Sequence, residues 1–524
     1  MSSLGGIVAV LSSLLCVFLV FVLIKILHKL WWTPTRIQKM MKAQGIKGPP
    51  YRLIHGNTKE ISDMKKEVMR RPKNLSHDIV SVVVPHIHSW SQIYGKNYLQ
   101  WHGSLAQLVI TEEPELCKEI MSNKDKAYPK REPTTFVKKL LGNGLVTTTE
   151  GEKWGKLRKL ATHAFHGECL KSLFPDMVAS AETMLERWRN YEEKEIEVFE
   201  EFRLFTSEVI SRTAFGSSYL EGQNIFEMLM KLAFLVSKNA LKVRIPGISK
   251  FFKTSDEIEA EKLEKGVYAS IMEIVKKREK TATSGDEDSF GSDFLGLLLK
   301  ARHDANDEQR ISVDDLVDEC KTFYFAGQET TNTLLAWTVF LLALHTNWQE
   351  EARKEVIELF GKQTPNLHHD RRIWGQDAQL FKPERFAEGV AKATNNNIGA
   401  FVPFGIGPRS CVGLNFAINE AKIALSMILQ RYSFTLSPGY VHLPIQYVTV
   451  RPQHGVQVLI PIVAWKHKHR WVANGSPTHT QVELPIVGQF SHPKATGTRF
   501  CQKASAMCVC GTIPYKALDA LLTH

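Results

Sequence analysis

The stretch "FGIGPRSCVG", residues 404–413, puts a single cysteine, Cys411, into a loop rich in glycine and proline. A cysteine that only packs usually lies inside an apolar run, where its burial needs no special backbone. Here glycine residues stand on both sides of the cysteine, and glycine lets a backbone turn tightly and bring its amides close to a sulfur atom. The loop therefore predicts that Cys411 is a metal ligand or a nucleophile.

Two further observations narrow that prediction. The eight cysteines of the chain show no regular spacing, which favours thiols in a reducing compartment over a disulfide framework. A thiolate in an apolar pocket persists when a metal coordinates it or backbone amides donate to it, and haem iron accepts such a ligand. Arg409 would then pair with a haem propionate, because a guanidinium grips a carboxylate through two parallel bonds.

The positive charge of the chain lies at its two ends. Residues 1–59 carry eight lysine and arginine residues and no acidic residue, and residues 463–524 carry seven basic and two acidic residues. Since the formal net charge is +11, the body between these segments has a net charge of −2. A nucleic-acid-binding protein needs its basic residues on the folded domain, so this distribution argues against a nucleic-acid partner.

The N-terminal segment is long enough to cross a membrane. The run "LGGIVAVLSSLLCVFLVFVLI", residues 4–24, has 21 residues and no charged side chain, which suffices for a hydrocarbon core of about 30 Å. A cleaved signal peptide is the alternative, but it would have a charged start and a shorter apolar run. Basic residues follow, so the remaining chain is expected in the cytosol, with Trp31 and Trp32 at the interface. We expect a transmembrane anchor with its flank at 1–30 and a basic, proline-containing hinge at 31–60.

The body has a mostly helical pattern. Amphipathic periodicity predicts helices at 182–202 and 262–280. Strand-like pieces occur at 97–103 and 105–110, and residues 447–460 have the pattern of two strands about a turn.

A long helix is predicted from Ser312 to Thr346, since Ser312 and Asp315 match a capping box and the following residues are apolar on nearly all sides. Its middle contains "AGQETT", residues 326–331, where a glycine costs about 0.5–1 kcal/mol relative to alanine and polar groups enter a dry helix. One interpretation is that the threonines bond back to carbonyls one turn earlier and only bend the helix. The other is a local distortion that holds water and proton donors toward a reaction centre.

Several motifs of the chain resemble those of the cytochrome P450 superfamily. The first stretch matches the F-x-x-G-x-R-x-C-x-G signature at every fixed position, and "AGQETT" resembles the oxygen-activating A-G-x-[DE]-T-T helix. "WGKLR" at 154–158 resembles the family's W-x-x-x-R, and "FKPERF" at 381–386 contains its P-E-R-F element. The surrounding sequence, over about residues 1–460, resembles the plant seventy-two clan, which includes secologanin synthase and triterpenoid oxidases. The matched signature positions are Phe404, Gly407, Arg409, Cys411 and Gly413.

The resemblance implies a mainly α fold with small β-sheets, the cytochrome P450 fold, over residues 61–462 behind an N-terminal transmembrane helix. It implies haem b as cofactor, with Cys411 as the axial thiolate and Trp154 and Arg158 facing a propionate. Glu329 and Thr330 would pass protons to bound dioxygen. This acid–threonine pair favours monooxygenation over isomerase or hydroperoxide-cleaving activity.

The resemblance also implies partners and a location. Electrons would come from NADPH through a separate membrane-bound reductase, because the chain has no glycine-rich dinucleotide fingerprint after a strand. The substrate would be a small apolar plant metabolite, such as a terpenoid, and the protein would be a single-pass protein of the endoplasmic reticulum membrane with its catalytic domain in the cytosol. Phe323, Phe325 and the segment 131–149 would border the substrate pocket, although core packing explains either phenylalanine equally well.

The chain departs from the family's pattern between the long helix and P-E-R-F. The family's E-x-x-R helix should form a buried network with Arg385, next to Glu384, but the candidate Glu350–Arg353 belongs to the preceding helix and has the pattern of ordinary surface pairing. We therefore infer an internal deletion of several tens of residues near 366–367. It would leave Arg385 without partners, a defect of about 3–5 kcal/mol against a stability margin of about 5–15 kcal/mol.

The tail from 463 to 524 loses periodicity and departs from the family, so we expect it to lie outside the fold. A metal-binding appendage is disfavoured, because C-x6-C-x-C is not a usual zinc spacing. Translated non-coding sequence from a mis-spliced or mispredicted gene would explain both anomalies. Three hypotheses follow: a competent membrane-anchored monooxygenase, a damaged relative that cannot hold haem, and a non-enzymatic membrane-tethered binding protein.

Overall fold

Helices dominate the computed structural model of the chain. It describes residues 2–463 apart from 71–74, 76–78, 112, 124–126, 150, 244–252, 283–289, 307–309, 361–389 and 395. The helices are α1 Ser2–Leu27, α2 Thr33–Ala43, α3 Thr58–Met69, α4 Val80–Val83, α5 Pro85–Tyr94, α6 Pro114–Ser122, α7 Thr135–Leu141, α8 Glu152–Ala164, α9 Gly167–Ser172, α10 Phe174–Trp188, α11 Val198–Phe215, α12 Tyr219–Asn239, α13 Ser255–Thr281, α14 Phe294–Arg302, α15 Val313–Leu344, α16 Thr346–Phe360, α17 Val390–Ala393 and α18 Leu414–Arg431.

Small antiparallel sheets accompany the helices, so the predicted mainly α class is confirmed. The strands are β1 Asn97–His102, β2 Leu105–Ile110, β3 Glu195–Glu197, β4 Thr435–Leu436, β5 Pro444–Gln446, β6 Val450–Pro452 and β7 Gln457–Leu459. In the described part of the chain β1 pairs with β2, β7 lies between β3 and β4, and β5 pairs with β6. The two strands predicted within 447–460 both form, but they belong to different sheets, since β6 pairs with β5 and β7 with β3 and β4.

The long helix α15 runs through the core, as the sequence predicts. Its N-cap is Ser312, whose side chain accepts from the Asp315 amide, while the Asp315 side chain accepts from the Ser312 amide. Most of its residues are buried, and it packs against α11 and α18. A Cβ on Gly327 would come within 2.6 Å of the Ile210 side chain, so a glycine at this position lets α11 and α15 approach closely.

One predicted helix is wrong in its middle. Residues 182–202 do not form a single helix, because α10 ends at Trp188, β3 follows, and α11 begins at Val198. Pairing with β7 buries Ile196 of β3. The Glu197 side chain then accepts from the first amides of α11, which lets a new helix begin.

A second correction concerns α16. The Glu350–Arg353 pair has the pattern of surface pairing, but only Glu350 is exposed and Arg353 is buried. The Arg353 guanidinium donates to the carbonyl oxygens of Leu429 and Tyr432 at the end of α18, the latter at 2.8 Å. It thereby provides donors for helix-end carbonyls, which have no partner within their own helix.

The N-terminal segment forms α1, a π-helical turn at His28–Trp32 and α2. Together these elements are continuous, and within the described residues one helical segment, Val10–Ala43, is long and apolar enough to cross a membrane. The most apolar part of this segment is not buried inside the protein.

Candidate functional site

The loop that carries Cys411 is a tight turn closed by its own backbone. Gly405 and Gly407 have φ of 70° and 75°, a region that favours glycine, and a single turn of 3-10 helix spans Gly407–Arg409. The amide of Cys411 donates to the carbonyl of Phe404 at 2.7 Å. Helix α18 begins directly afterward, with Gly413 as its N-cap. The predicted tight turn therefore forms, and glycine supplies the conformations that it needs.

The sulfur of Cys411 lies in a basic, amide-lined setting. Part of Cys411 is exposed to solvent, but the protein atoms that surround its sulfur exclude water from it and so raise the pKa of the thiol. The Gly413 amide, by hydrogen bonding to the sulfur, and the nearby Arg158 cation both lower the pKa and partly offset that rise. A Cβ on Gly413 would stand 3.9 Å from the sulfur, which is an ordinary van der Waals contact. The Gly413 amide and the Arg158 cation therefore both favour the thiolate form of Cys411, against the effect of burial.

Arg158, Trp154 and Arg409 meet beside this loop. Arg158 donates to the carbonyl of Ser410 at 2.5 Å and to its hydroxyl at 3.4 Å. Arg409 donates to the carbonyl of Thr148 at 2.6 Å and lies over the Trp154 ring, 5.1 Å from its centroid. The structure brings together the three residues expected near a propionate, and their role in binding one stays a prediction.

The middle of α15 opens on one side. Ala326, Gly327 and Thr330 are half-buried, whereas the residues around them are buried. The Thr330 hydroxyl donates to the Ala326 carbonyl at 2.8 Å, which is the back-bonding that one interpretation of the sequence anticipates. Because these residues follow the helical spacing, they form a single accessible face.

Glu329 points to different partners. It is fully buried, and its Oε1 accepts from the Thr449 hydroxyl at 2.7 Å. Burial raises the pKa of this carboxyl, against the lowering effects of Thr449 and of the Arg451 charge. Among the described residues no partner reaches its Oε2. The structure therefore does not join the Glu329 and Thr330 side chains by a direct bond.

Sequence reasoning missed Thr449, which lies just before β6. Its hydroxyl meets Glu329 and also lies 3.1 Å from the Thr333 hydroxyl. These residues are more than a hundred positions apart in the chain, and no local pattern marks the pairing.

The phenylalanines expected at the pocket are buried. Phe323 stacks on Phe165 with ring centroids 5.2 Å apart and lies 4.2 Å from Phe294, which supports its core-packing role. Phe325 is buried as well. Glu384 and Arg385, expected as structural residues of P-E-R-F, lie outside the described residues.

The donor set fits a haem better than a bare metal ion. A haem needs one axial protein ligand, because the macrocycle supplies the others. No group of three histidine, cysteine, aspartate or glutamate residues that could hold a metal ion occurs in the part of the chain that the structure describes. A single cysteine sulfur with an amide donor and flanking arginines is what the residues offer.

Comparison with known proteins agrees with this geometry. The family model described as "Cytochrome P450" matches residues 83–367 and 363–460. The chain belongs to the cytochrome P450 family. Cytochrome P450 CYP749A22 of Panax ginseng is 55% identical over 506 residues, which cover 86% of this chain and 96% of that protein.

Other plant cytochromes P450 are similar along most of their length. Cytochrome P450 72A397 of Kalopanax septemlobus is 38% identical over 500 residues, covering 83% of this chain and 94% of that protein. Secologanin synthase 1 of Catharanthus roseus is 36% identical over 499 residues, which cover 83% of this chain and 94% of that protein. The predicted clan is confirmed. The crystal structure of CYP102L1, 20% identical, matches with a TM-score of 0.61 over 75% of this chain and 100% of that chain, and shows the fold.

Family membership fixes the broad chemistry. The cytochrome P450 proteins are haem-thiolate proteins, so the cofactor is haem b and the chain belongs to the haem-dependent monooxygenases of plant secondary metabolism.

The family match to this chain falls into two segments. The two matched segments of the family model meet at residues 363–367. The ginseng protein aligns over 506 positions, but 86% of the 524 residues is only about 451, so about 55 aligned positions have no residue of this chain.

Proposed function

We propose that this protein inserts one oxygen atom of dioxygen into a small apolar, terpenoid-like plant metabolite. Two similar proteins of Catharanthus roseus support this substrate class, since their names are secologanin synthase 1 and 7-deoxyloganic acid hydroxylase. The proposal depends on the surroundings of the Cys411 sulfur, which accepts a hydrogen bond from the Gly413 amide and lies near the positive charge of Arg158. Electrons would arrive from NADPH through a separate membrane-bound reductase.

The residues of the loop would hold the cofactor. Cys411 would bind the haem iron through its sulfur, and the contacts of Arg409, Trp154 and Arg158 beside this loop support a role for them in binding the propionates. Phe404 and Gly407 close the turn that presents the sulfur. When bound, the haem supplies the activation of dioxygen.

Glu329 and Thr330 would handle protons. Burial raises the pKa of the Glu329 carboxyl, and the Thr449 hydroxyl fixes the orientation of that carboxyl by donating to Oε1. The Thr330 hydroxyl lies on the accessible face of α15, where it can donate or accept. We assign Glu329 the role of proton store and Thr330 that of the hydroxyl at the reaction face.

The N-terminal helix would anchor the protein in the endoplasmic reticulum membrane as a single span, with the catalytic domain, residues 61–462, in the cytosol. The length of Val10–Ala43 and the basic residues that follow the apolar run support this orientation. The segment 31–60 would be the hinge.

The proposed internal deletion, called the gap below, has a functional consequence. We propose that the chain lacks the E-x-x-R helix near 366–367 and that residues 463–524 lie outside the fold. The deletion is supported by the two family matches, which meet at 363–367, and by the unmatched positions of the ginseng alignment. The position of the tail outside the fold is supported by the end of the family match at residue 460. The chain as it stands would then hold haem weakly, and the monooxygenase activity would belong to the version that contains the segment.

The test compares two proteins, the chain as given and the same chain with the corresponding ginseng segment inserted after Asn366. Each is loaded with haem, reduced and exposed to carbon monoxide, and the red-shifted Soret band of an axial thiolate is measured. We expect the band from the extended protein and little of it from the given chain. Absence of the band in the extended protein, or its survival after Cys411→Ser, would refute the proposed function. A strong band from the given chain would refute the consequence of the gap alone.

A further inference from the structure

A short loop between α7 and α8 connects the buried helix α15 to the loop of Cys411. The glycine loop, residues Gly142–Thr148, presents backbone amides to two neighbouring carboxyl groups of α15. The amide of Asn143 donates to Asp318 Oδ2 at 2.7 Å, and the amide of Leu145 donates to Glu319 Oε1 at 2.5 Å. Carboxyl oxygens that accept hydrogen bonds from backbone amides in this way can order a loop.

The fit between the glycine loop and α15 leaves no room for side chains. A Cβ on Gly142 would overlap the Asp318 carboxyl, and a Cβ on Gly144 would overlap Glu319 Oε1. Gly142 also has a φ of 66°, which favours glycine. The backbone of the loop therefore rests directly on the two carboxyl groups.

Hydrogen bonds within the glycine loop join its two ends. The Thr147 hydroxyl donates to the Gly142 carbonyl at 2.8 Å, and the Thr148 hydroxyl donates to the Asn143 carbonyl at 2.7 Å. At the far end the Thr148 carbonyl accepts from Arg409 at 2.6 Å. A continuous set of contacts thus runs from α15 to the arginine that stands two residues before Cys411.

The two carboxyl groups differ in their surroundings. Asp318 is paired with the buried Lys321 at 2.8 Å. Glu319 is fully buried, and no described residue reaches its Oε2. Burial raises its pKa to about 8, with Asp318 and Asp315 adding to the rise and the Leu145 amide and Lys153 opposing it. Burying such a group is unfavourable unless it has a partner, and the partner that the structure gives it is the glycine loop.

We propose that Asp318 and Glu319 are positioning residues, which hold the glycine loop and through its Thr148 carbonyl set Arg409 beside the haem ligand Cys411. This inference rests on the proposed function only for the role of Cys411. The contacts themselves involve residues of this chain and can be tested without the cofactor.

The test uses the full chain with the variants Glu319→Ala and Asp318→Ala, their conservative counterparts Glu319→Gln and Asp318→Asn, and the control Asp314→Ala. Asp314 lies on the same first turns of α15 but is exposed. Amide hydrogen exchange is measured for peptides covering the glycine loop and residues 404–413, before haem is added. The fraction of thiolate ligation is then measured in the carbon monoxide complex of the extended protein.

We expect the alanine variants to speed exchange in the glycine loop at least about tenfold, because an acceptor of its amides is lost, and to speed exchange in residues 404–413 as well. They should lower the thiolate fraction, whereas the conservative variants and the control should resemble the parent. Faster exchange confined to the glycine loop, with residues 404–413 and the spectrum unchanged, would overturn the proposal, as would an unchanged glycine loop.

If Glu319→Ala does not fold, Asp318→Ala decides the question, since Asp318 is only half-buried. A parent protein without the thiolate band would refute the proposed function, while the exchange data would still decide the coupling between the two loops.

Discussion

Replacing Arg353 by methionine should destabilise α18, the helix that begins directly after the Cys411 loop. The Arg353 guanidinium donates to the carbonyls of Leu429 and Tyr432 near the end of α18 and to Gln349 Oε1 at 2.9 Å. Methionine has a similar length but no donor, so the two buried carbonyls would lose these partners. Each buried acceptor left without a donor costs about 1–3 kcal/mol.

The expected loss in free energy of unfolding is therefore about 2–6 kcal/mol, which is large against a total of about 5–15 kcal/mol. The matched control is Lys354→Met in the next position, since the Lys354–Glu351 pair is exposed and such pairs contribute about 0–1 kcal/mol. Urea unfolding of the full chain in detergent, followed by far-ultraviolet circular dichroism, measures both variants.

A loss below about 1 kcal/mol for Arg353→Met, or one equal to that of the control, would contradict this reasoning. It would mean that other groups or water serve the end of α18, and that Arg353 belongs with the surface charges, as its sequence pattern suggests.

Three further changes test other parts of the site. In the extended protein, Gly407→Ala should sharply reduce haem binding, because the φ of 75° disfavours alanine and its Cβ would come within 2.6 Å of a carbonyl oxygen at the end of α6. Gly155→Ala, at a position with open space, should leave haem binding intact, and equal haem content per protein in the two variants would contradict this reasoning. Thr449→Val in the extended protein should raise the pKa of Glu329 further and increase the hydrogen peroxide released per NADPH oxidised, whereas Thr449→Ser should resemble the parent. Equal peroxide yields from both variants would contradict the assigned role of Thr449. Glu319 has a pKa of about 8 in the folded protein, so it stays protonated there, whereas in the unfolded chain it has lost its proton above about pH 5. Because the folded state then binds the extra proton, this group makes the stability of the protein fall as the pH rises from about 5 to 8. Glu319→Gln removes that dependence, and its stability relative to the parent should improve by up to about 1.4 kcal/mol per pH unit, as thermal unfolding at several pH values would show; a difference independent of pH would rule out the raised pKa.

Much of the site could be predicted from local sequence because its signals are short. The turn around Cys411 depends on glycines within ten residues, and the start of α15 depends on Ser312 and Asp315, three positions apart. Both patterns work through bonds between near neighbours, so their geometry follows from the residue types alone. The strands β1 and β2 were likewise predictable from their alternation.

Predictions failed where a side chain takes its partner from a distant part of the chain. The pattern of α16 predicts a surface arginine, but α18 packs over Arg353 and brings carbonyl acceptors to it. The helix predicted over 182–202 is interrupted because β7, far along the chain, pairs with residues 195–197.

By itself the sequence determined that the chain is mainly helical with an apolar N-terminal helix, because these properties depend on spacing and composition within short windows. The haem-thiolate class followed from short motifs that resemble those of the cytochrome P450 family. Only the tertiary structure decided that Glu329 meets Thr449, that Arg353 supports α18 and that Asp318 and Glu319 hold the glycine loop. These contacts join residues separated by 76 to 175 positions. Several of them end on backbone carbonyls, which every residue type offers, or on backbone amides, which every type except proline offers, so no sequence pattern could have marked them.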